Sequence, residues 1–152
     1  MSSRARCRVT VFVPDYTSNS VSTIDVKTRK KNPTDIPVGG RPIGVVVTPD
    51  GKTVFVINND SNSVSAIDVK TRTKYPADID VGASPAALVV TPDGRTVFVA
   101  IHDPAARNAT TTAPGPGSVA TIDVKTRTKG PTEIPLTLGT GPSGMAITPD
   151  GK

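Results

Sequence analysis

The 152-residue sequence predicts an all-β fold of β-propeller-type repeats, four-stranded antiparallel blades with about three blades per chain, forming a partial propeller or half of a ring. Three observations carry this. Residues 10–52 align with residues 53–95 at a period of 43 with no gap and 28 identical positions. Pro and Gly recur at fixed places within each copy, as turn punctuation does. In Val54-Phe55-Val56, successive side chains point to opposite sides of a strand, yet all three are apolar. Such a strand needs cover on both faces, which a blade sandwiched between neighbouring blades provides.

The expected elements follow within one unit. Strand A is placed at 43–48, strand B at 53–58, strand C at 63–69 and strand D at 78–81, all rich in Val, Ile and Thr. The A–B connection TPDG suits a type I turn closed by a glycine bulge. The B–C connection, 59–62, is made of Asn, Asp and Ser, whose side chains bond nearby backbone. The C–D connection is placed at 70–74, and the D–A connection contains Gly82 and Pro85.

The expected organisation is a tail at 1–8 and a repeat domain at 9–152. Within it, 9–42 holds strands B, C and D of blade 1, and 43–85 is blade 2. Blade 3 spans 86–142 with an insertion at 103–117, which delays its IDVKTR segment by 12 residues. Residues 143–152 are expected to supply strand A of the next or a shared blade. Joined to the strand-A-less first unit, this segment suggests a homodimer formed by strand exchange.

The residues TPDGK at 48–52, FVIN at 55–58, SNSVSAID at 61–68 and IPVG at 36–39 resemble the YVTN (YncE-like) β-propeller repeat family. The resemblance covers nearly everything after Arg8. The signature tetrad is altered to FVPD at 12–15 and to FVAI at 98–101. The resemblance implies a propeller, bacterial and often exported or at the cell surface, with no particular reaction. Similar propellers occur in lactonases and in cofactor-dependent dehydrogenases, but their catalytic residues have no identifiable counterparts here.

Strand alternation sends A–B and C–D turns to one end of each blade, and B–C and D–A loops to the other. The first end carries Lys52, Arg95, Lys152 and the Lys-rich C–D turns of a chain with net charge +5. These basic turns read as guards against edge pairing ahead of an acidic-polymer site. Nucleic acid is not expected, because the basic turns lack interleaved aromatics and Phe12, Phe55 and Phe98 read as core. The second end carries the polar, Pro/Gly-rich insertion, together with Arg41, His102, Asp103, Arg107 and Asn108. These five are the candidate ligand or partner contacts, the partner being a protein or small molecule.

No catalytic set is expected. His102 is the only histidine, and no motif pairs it with a nucleophile or carboxylate. Asp25, Asp68 and Asp123 repeat in every copy, as do Asp50, Asp93 and Asp150, so a turn-bonding role outranks chemistry. The oxygen-rich run 58–62 lacks the carboxylate spacing of a calcium loop. No metal or cofactor is therefore expected. The sequon at Asn108 matters only in a secretory eukaryotic setting, and Cys7 alone forms neither an internal disulfide nor a cysteine metal site. No apolar run approaches the roughly 20 residues of a membrane span. With Met1 as the true start the chain is expected in the cytoplasm; with an upstream signal it is exported or at the cell surface.

Three functional readings are open. The leading one is a non-enzymatic binding or interaction scaffold using the B–C and D–A loop end. The others are a lactonase-like hydrolase or dehydrogenase-related propeller, and a truncated remnant of a longer propeller protein.

Overall fold

In a computed structural model the chain is described at residues 9–102, 116–138 and 141–150. Three antiparallel sheets follow one another along the sequence, one per repeat, and no helix occurs among the described residues. Blade 1 comprises β1 (Thr10–Asp15), β2 (Ser20–Asp25), β3 (Lys30–Lys31) and β4 (Ile36–Pro37). Blade 2 comprises β5 (Pro42–Val47), β6 (Thr53–Asn58), β7 (Ser63–Asp68), β8 (Thr73–Lys74) and β9 (Ile79–Asp80). Blade 3 comprises β10 (Pro85–Val90), β11 (Thr96–Ile101), β12 (Pro116–Asp123), β13 (Thr128–Lys129) and β14 (Ile134–Leu138).

The A–B hairpin forms as its sequence requires. Gly51 N–H donates to Thr48 C=O at 2.8 Å, and Gly51 takes a φ of 69°, which a side chain would oppose. The Thr48 hydroxyl donates to Asp50 Oδ1 at 2.6 Å, and Asp50 Oδ1 accepts from Lys52 N at 3.0 Å. Blade 3 repeats the pattern at Thr91, Asp93 and Gly94.

Strand D differs from expectation. The outer edge of β7 pairs with two separate two-residue strands, β8 and β9. Thr73 and Lys74, expected in the connection, are therefore paired, and the turn shortens to residues 69–72. Pro76 explains the split, because it has no N–H to give to the ladder. Pro33 interrupts blade 1 in the same way. Residues 143–148, expected as a strand A, carry no strand pairing, although β1, the strand B of blade 1, pairs only with β2 among the described strands. Pro116 and Gly117, expected in the insertion, belong to β12; residues 103–115 lie outside the described residues.

Blade 2 buries its two faces against different neighbours. Phe12, Val21 and Ile36 of blade 1 pack with Val54, Val56 and Ile67 of blade 2. Phe55, Val64 and Ile79 on the opposite face of blade 2 pack with Val97, Val99 and Ile122 of blade 3. Phe55 is 0% exposed, and burying a side chain of this size contributes roughly 1.5–3 kcal/mol. Phe98, expected in the core with the other two phenylalanines, is only half-buried, because among the described residues no blade stands against the face it occupies on blade 3.

Candidate functional site

The two ends of the blades are built differently. At the B–C and D–A end, Asn19 and Asn62 hold left-handed backbone, which asparagine tolerates. Asn19 Oδ1 accepts from Arg41 N at 2.8 Å, and Asn62 Oδ1 accepts from Ser84 N at 2.9 Å. Ser61 Oγ accepts from Gly40 N at 2.6 Å, and Asn59 Nδ2 donates to Pro85 C=O at 2.8 Å. The oxygen-rich run 58–62 thus spends much of its polar capacity binding the D–A loops. Asn58 itself is buried; its Nδ2 donates to Ser63 and Ser65, while its Oδ1 has no hydrogen-bond partner.

The candidate contacts divide. Arg41 lies 3.6 Å from Asp60 in an exposed ion pair at blade 2. His102, at the end of β11 in blade 3, packs where a Gly141 side chain would stand. The two are held by different blades, each on its own local partner. Asp103, Arg107 and Asn108 lie outside the described residues.

At the opposite end, a groove of about 530 Å³ opens between blades 2 and 3. It is lined by Asp50, Lys52 and Thr53 from one hairpin, by Gly94 and Arg95 from the next, and by Asp68, Tyr75, Asp123, Val124, Lys125 and Arg127 from the C–D region. Sequence reasoning did not single out this groove. The signal available was Tyr75, an aromatic at a position that is Asn32 in blade 1 and Gly130 in blade 3.

The groove carboxylates are committed to turns. Asp68 Oδ1 accepts from Thr71 N at 2.7 Å and from Thr71 Oγ1 at 3.0 Å, and these bonds, the backbone one first, hold its pKa below the usual carboxylate value. Asp123 is lowered in the same way by Thr126 N and Oγ1. Asp50 is lowered chiefly by the Thr48 hydroxyl and next by Lys52 N. This is the turn-bonding role that repetition implied. The cations are looser: Lys52 Nζ is 3.8 Å from Asp50 with 80% of its side chain exposed, and Arg95 Nε is 3.9 Å from Asp93 with 84% exposed. Such pairs contribute little and leave the cations accessible.

A third polar cluster sits on the blade edges. Ser22 Oγ donates to Asp35 at 3.0 Å, and Ser65 Oγ donates to Asp78 at 2.7 Å. In blade 3 Ala120 replaces that serine, and Glu133 reaches further, to Ser118 Oγ at 2.7 Å. A lysine four residues earlier pairs each carboxylate: Lys31, Lys74 and Lys129. Among the described residues no cluster of three or more His, Cys, Asp or Glu side chains is set to hold a metal ion, and no helix is long and apolar enough to cross a membrane.

The choice-of-anchor I domain model matches residues 7–151. The chain belongs to the choice-of-anchor I domain family. This domain is similar to hydrazine synthase from Kuenenia stuttgartiensis, with a TM-score of 0.78 and 30% identity over 94% of the chain and 37% of that protein. It is similar in fold to a candidate 6-phosphogluconolactonase from Bacteroides uniformis, at TM-score 0.72 and 15% identity over 94% of the chain and 42% of that protein. The same holds for the dihydro-heme d1 dehydrogenase NirN, at TM-score 0.66 and 16% identity over 90% of the chain and 27% of that protein. The chain thus spans less than half the length of each. No curated protein sequence matches it. These likenesses agree with the three stacked blades in making this a β-propeller-type domain.

Proposed function

We propose that this domain is a binding scaffold, in the YVTN-like branch of propeller repeats, whose ligand seat is the groove between blades 2 and 3. The observation that carries this is the division of labour in the groove. Its carboxylates are held ionised by turn hydrogen bonds, whereas Lys52, Arg95 and Lys125 stand exposed around an open volume. Lowered carboxylate pKa values suit fixed structural anions; a general acid or base needs its pKa moved toward the working pH. The ligand class that suits exposed cations around about 530 Å³ is a small anion-bearing molecule, such as a sugar phosphate or dicarboxylate.

Titration calorimetry with a panel of sugar phosphates and dicarboxylates tests the reading. Binding by at least one, weakened tenfold or more in Lys52→Glu/Lys125→Glu, is the expected result. Unchanged affinity in that variant removes the groove from the proposal. The B–C and D–A end, with the segment 103–117, is the rival seat. It is favoured by the deviation of that segment from the repeat, and loss of binding on its deletion would move the ligand there.

A second reading rests on the names of the similar proteins: a hydrolase related to propeller lactonases, or a dehydrogenase-related domain. His102 is the residue this reading depends on. Lactone turnover that disappears in His102→Ala would establish it over the scaffold.

A further inference from the structure

We propose that the 152-residue chain associates head to tail with a second copy of itself, the open face of blade 1 in one copy seating on the open face of blade 3 in the other. The blade-on-blade contact already occurs twice in the molecule, with one residue pattern. One side offers a Phe from strand B, a Val from strand C and an Ile from strand D: Phe12, Val21, Ile36 and then Phe55, Val64, Ile79. The other side offers two Val from strand B and an Ile from strand C: Val54, Val56, Ile67 and then Val97, Val99, Ile122.

Each half of that interface is also present uncovered. Blade 1 carries the two-valine half as Val11, Val13 and Ile24. Val11 is 45% and Val13 40% exposed, although the equivalent Val54 and Val56 are 0% exposed. Blade 3 carries the phenylalanine half as Phe98, Val119 and Ile134, with Phe98 half-buried and Ile134 48% exposed. The two open faces are therefore the complementary halves of an interface the chain builds for itself, and a second copy supplies both.

A second feature of the same interface agrees. Arg72 and Arg127, each on left-handed backbone in a C–D turn, reach back to the preceding blade, to Asn32 and Tyr75. Arg29 has the same backbone, with φ 55°, in blade 1. Blade 1 therefore repeats the backbone of that device at the blade that has no preceding blade among the described residues. Because the two faces differ, the contact is heterologous. Two copies close into a ring if the rotation permits, and further copies extend the assembly if it does not.

Light scattering across the micromolar to millimolar range tests this, with complementary blocking variants. The chain is expected at twice its 15.7 kDa or more. Val11→Lys/Val13→Lys and Ile134→Lys should each be monomeric, since each removes one half of every contact. These side chains are already exposed in the single chain, so circular dichroism and Tm should stay close to the parent. Mixing the two variants should restore a one-to-one dimer, because one retains the valine face and the other the phenylalanine face. A parent chain that stays monomeric overturns the proposal. So does association that survives Val11→Lys/Val13→Lys, which would point to strand exchange through 143–150, or a mixture that remains monomeric.

Discussion

The guanidinium carbon of Arg127 lies 4.0 Å from the centre of the Tyr75 ring, spanning blades 3 and 2. One repeat earlier, Arg72 Nη1 donates to Asn32 Oδ1 at 2.7 Å, spanning blades 2 and 1. The same backbone device therefore bridges both blade junctions with different chemistry, a cation over an aromatic face in one and a hydrogen bond in the other. A cation–π contact between half-buried side chains such as these contributes about 0.5–2 kcal/mol. Arg127→Ala and Tyr75→Leu should each lower stability by about this amount, and the double variant should cost less than their sum. Urea unfolding of the four proteins gives the coupling directly; fully additive losses would show that the bridge contributes nothing.

Glu133 and Ala120 should behave as a coupled pair. Ser118 lies two residues before Ala120 along β12, and only the longer glutamate reaches it. Glu133→Asp should lose the Ser118 bond and cost about 1 kcal/mol, the usual net contribution of one hydrogen bond. Adding Ala120→Ser recreates the serine–aspartate pairing of Ser22 with Asp35 and Ser65 with Asp78, and should recover most of the loss. Thermal unfolding of the single and double variants measures this, and no recovery would mean that the hydroxyl position is not what selects glutamate.

Acid should destabilise the domain through several carboxylates at once. Asp35, Asp50, Asp68, Asp93, Asp123 and Glu133 all have folded pKa values below their ordinary values of 3.8 for Asp and 4.5 for Glu. A depressed folded pKa stabilises the native state above the unfolded pKa, and the contribution is lost as pH falls through the folded value. Tm should therefore vary little, as far as these groups act, from pH 7 down to about 5 and fall steeply below about 4. Asp68→Asn should flatten the acid limb while lowering Tm at neutral pH. An acid limb unchanged by that substitution would show that Asp68 contributes no linkage.

Much of the fold was legible because it rests on period and turn chemistry. The hairpin of Thr48, Asp50 and Gly51 is local, and the two-faced strand Val54-Phe55-Val56 states its need for cover within three residues. What local sequence could not state was the pairing along the outer edge, where Thr73 and Lys74, expected in the C–D connection, form a short strand of their own before Pro76, and Ile79–Asp80 a second one after it. Nor could it state the groove, since Tyr75 and Arg127 are 52 residues apart and meet only when two blades stack. Arg41 and His102 were legible as neighbours of the same blade end, but their partners Asp60 and Gly141 depend on the closure of the loops. The Phe98 misreading has the same source: its sequence context matches Phe55, and the difference between them lies in the neighbouring blade.

Gly39 and Asn58 should be strongly coupled. A Cβ on Gly39 would stand 2.6 Å from both Cγ and Nδ2 of Asn58, closer than any side chain tolerates. Asn58 cannot swing aside, because it is fully buried and its Nδ2 is held by Ser63 at 3.1 Å and Ser65 at 2.8 Å. Gly39→Ala must therefore displace packed atoms, and should cost about 1–3 kcal/mol. Asn58→Ala removes the blocking amide. It gives up two hydrogen bonds but also removes the buried Oδ1 that has no donor, so its own cost should be moderated. In the Asn58→Ala background, Gly39→Ala should cost at least about 1 kcal/mol less than in the parent chain. Chemical denaturation of the two single variants and the double variant is the measurement. Equal costs of Gly39→Ala in both backgrounds would mean that the backbone of the D–A loop, and not Asn58, sets the requirement for glycine.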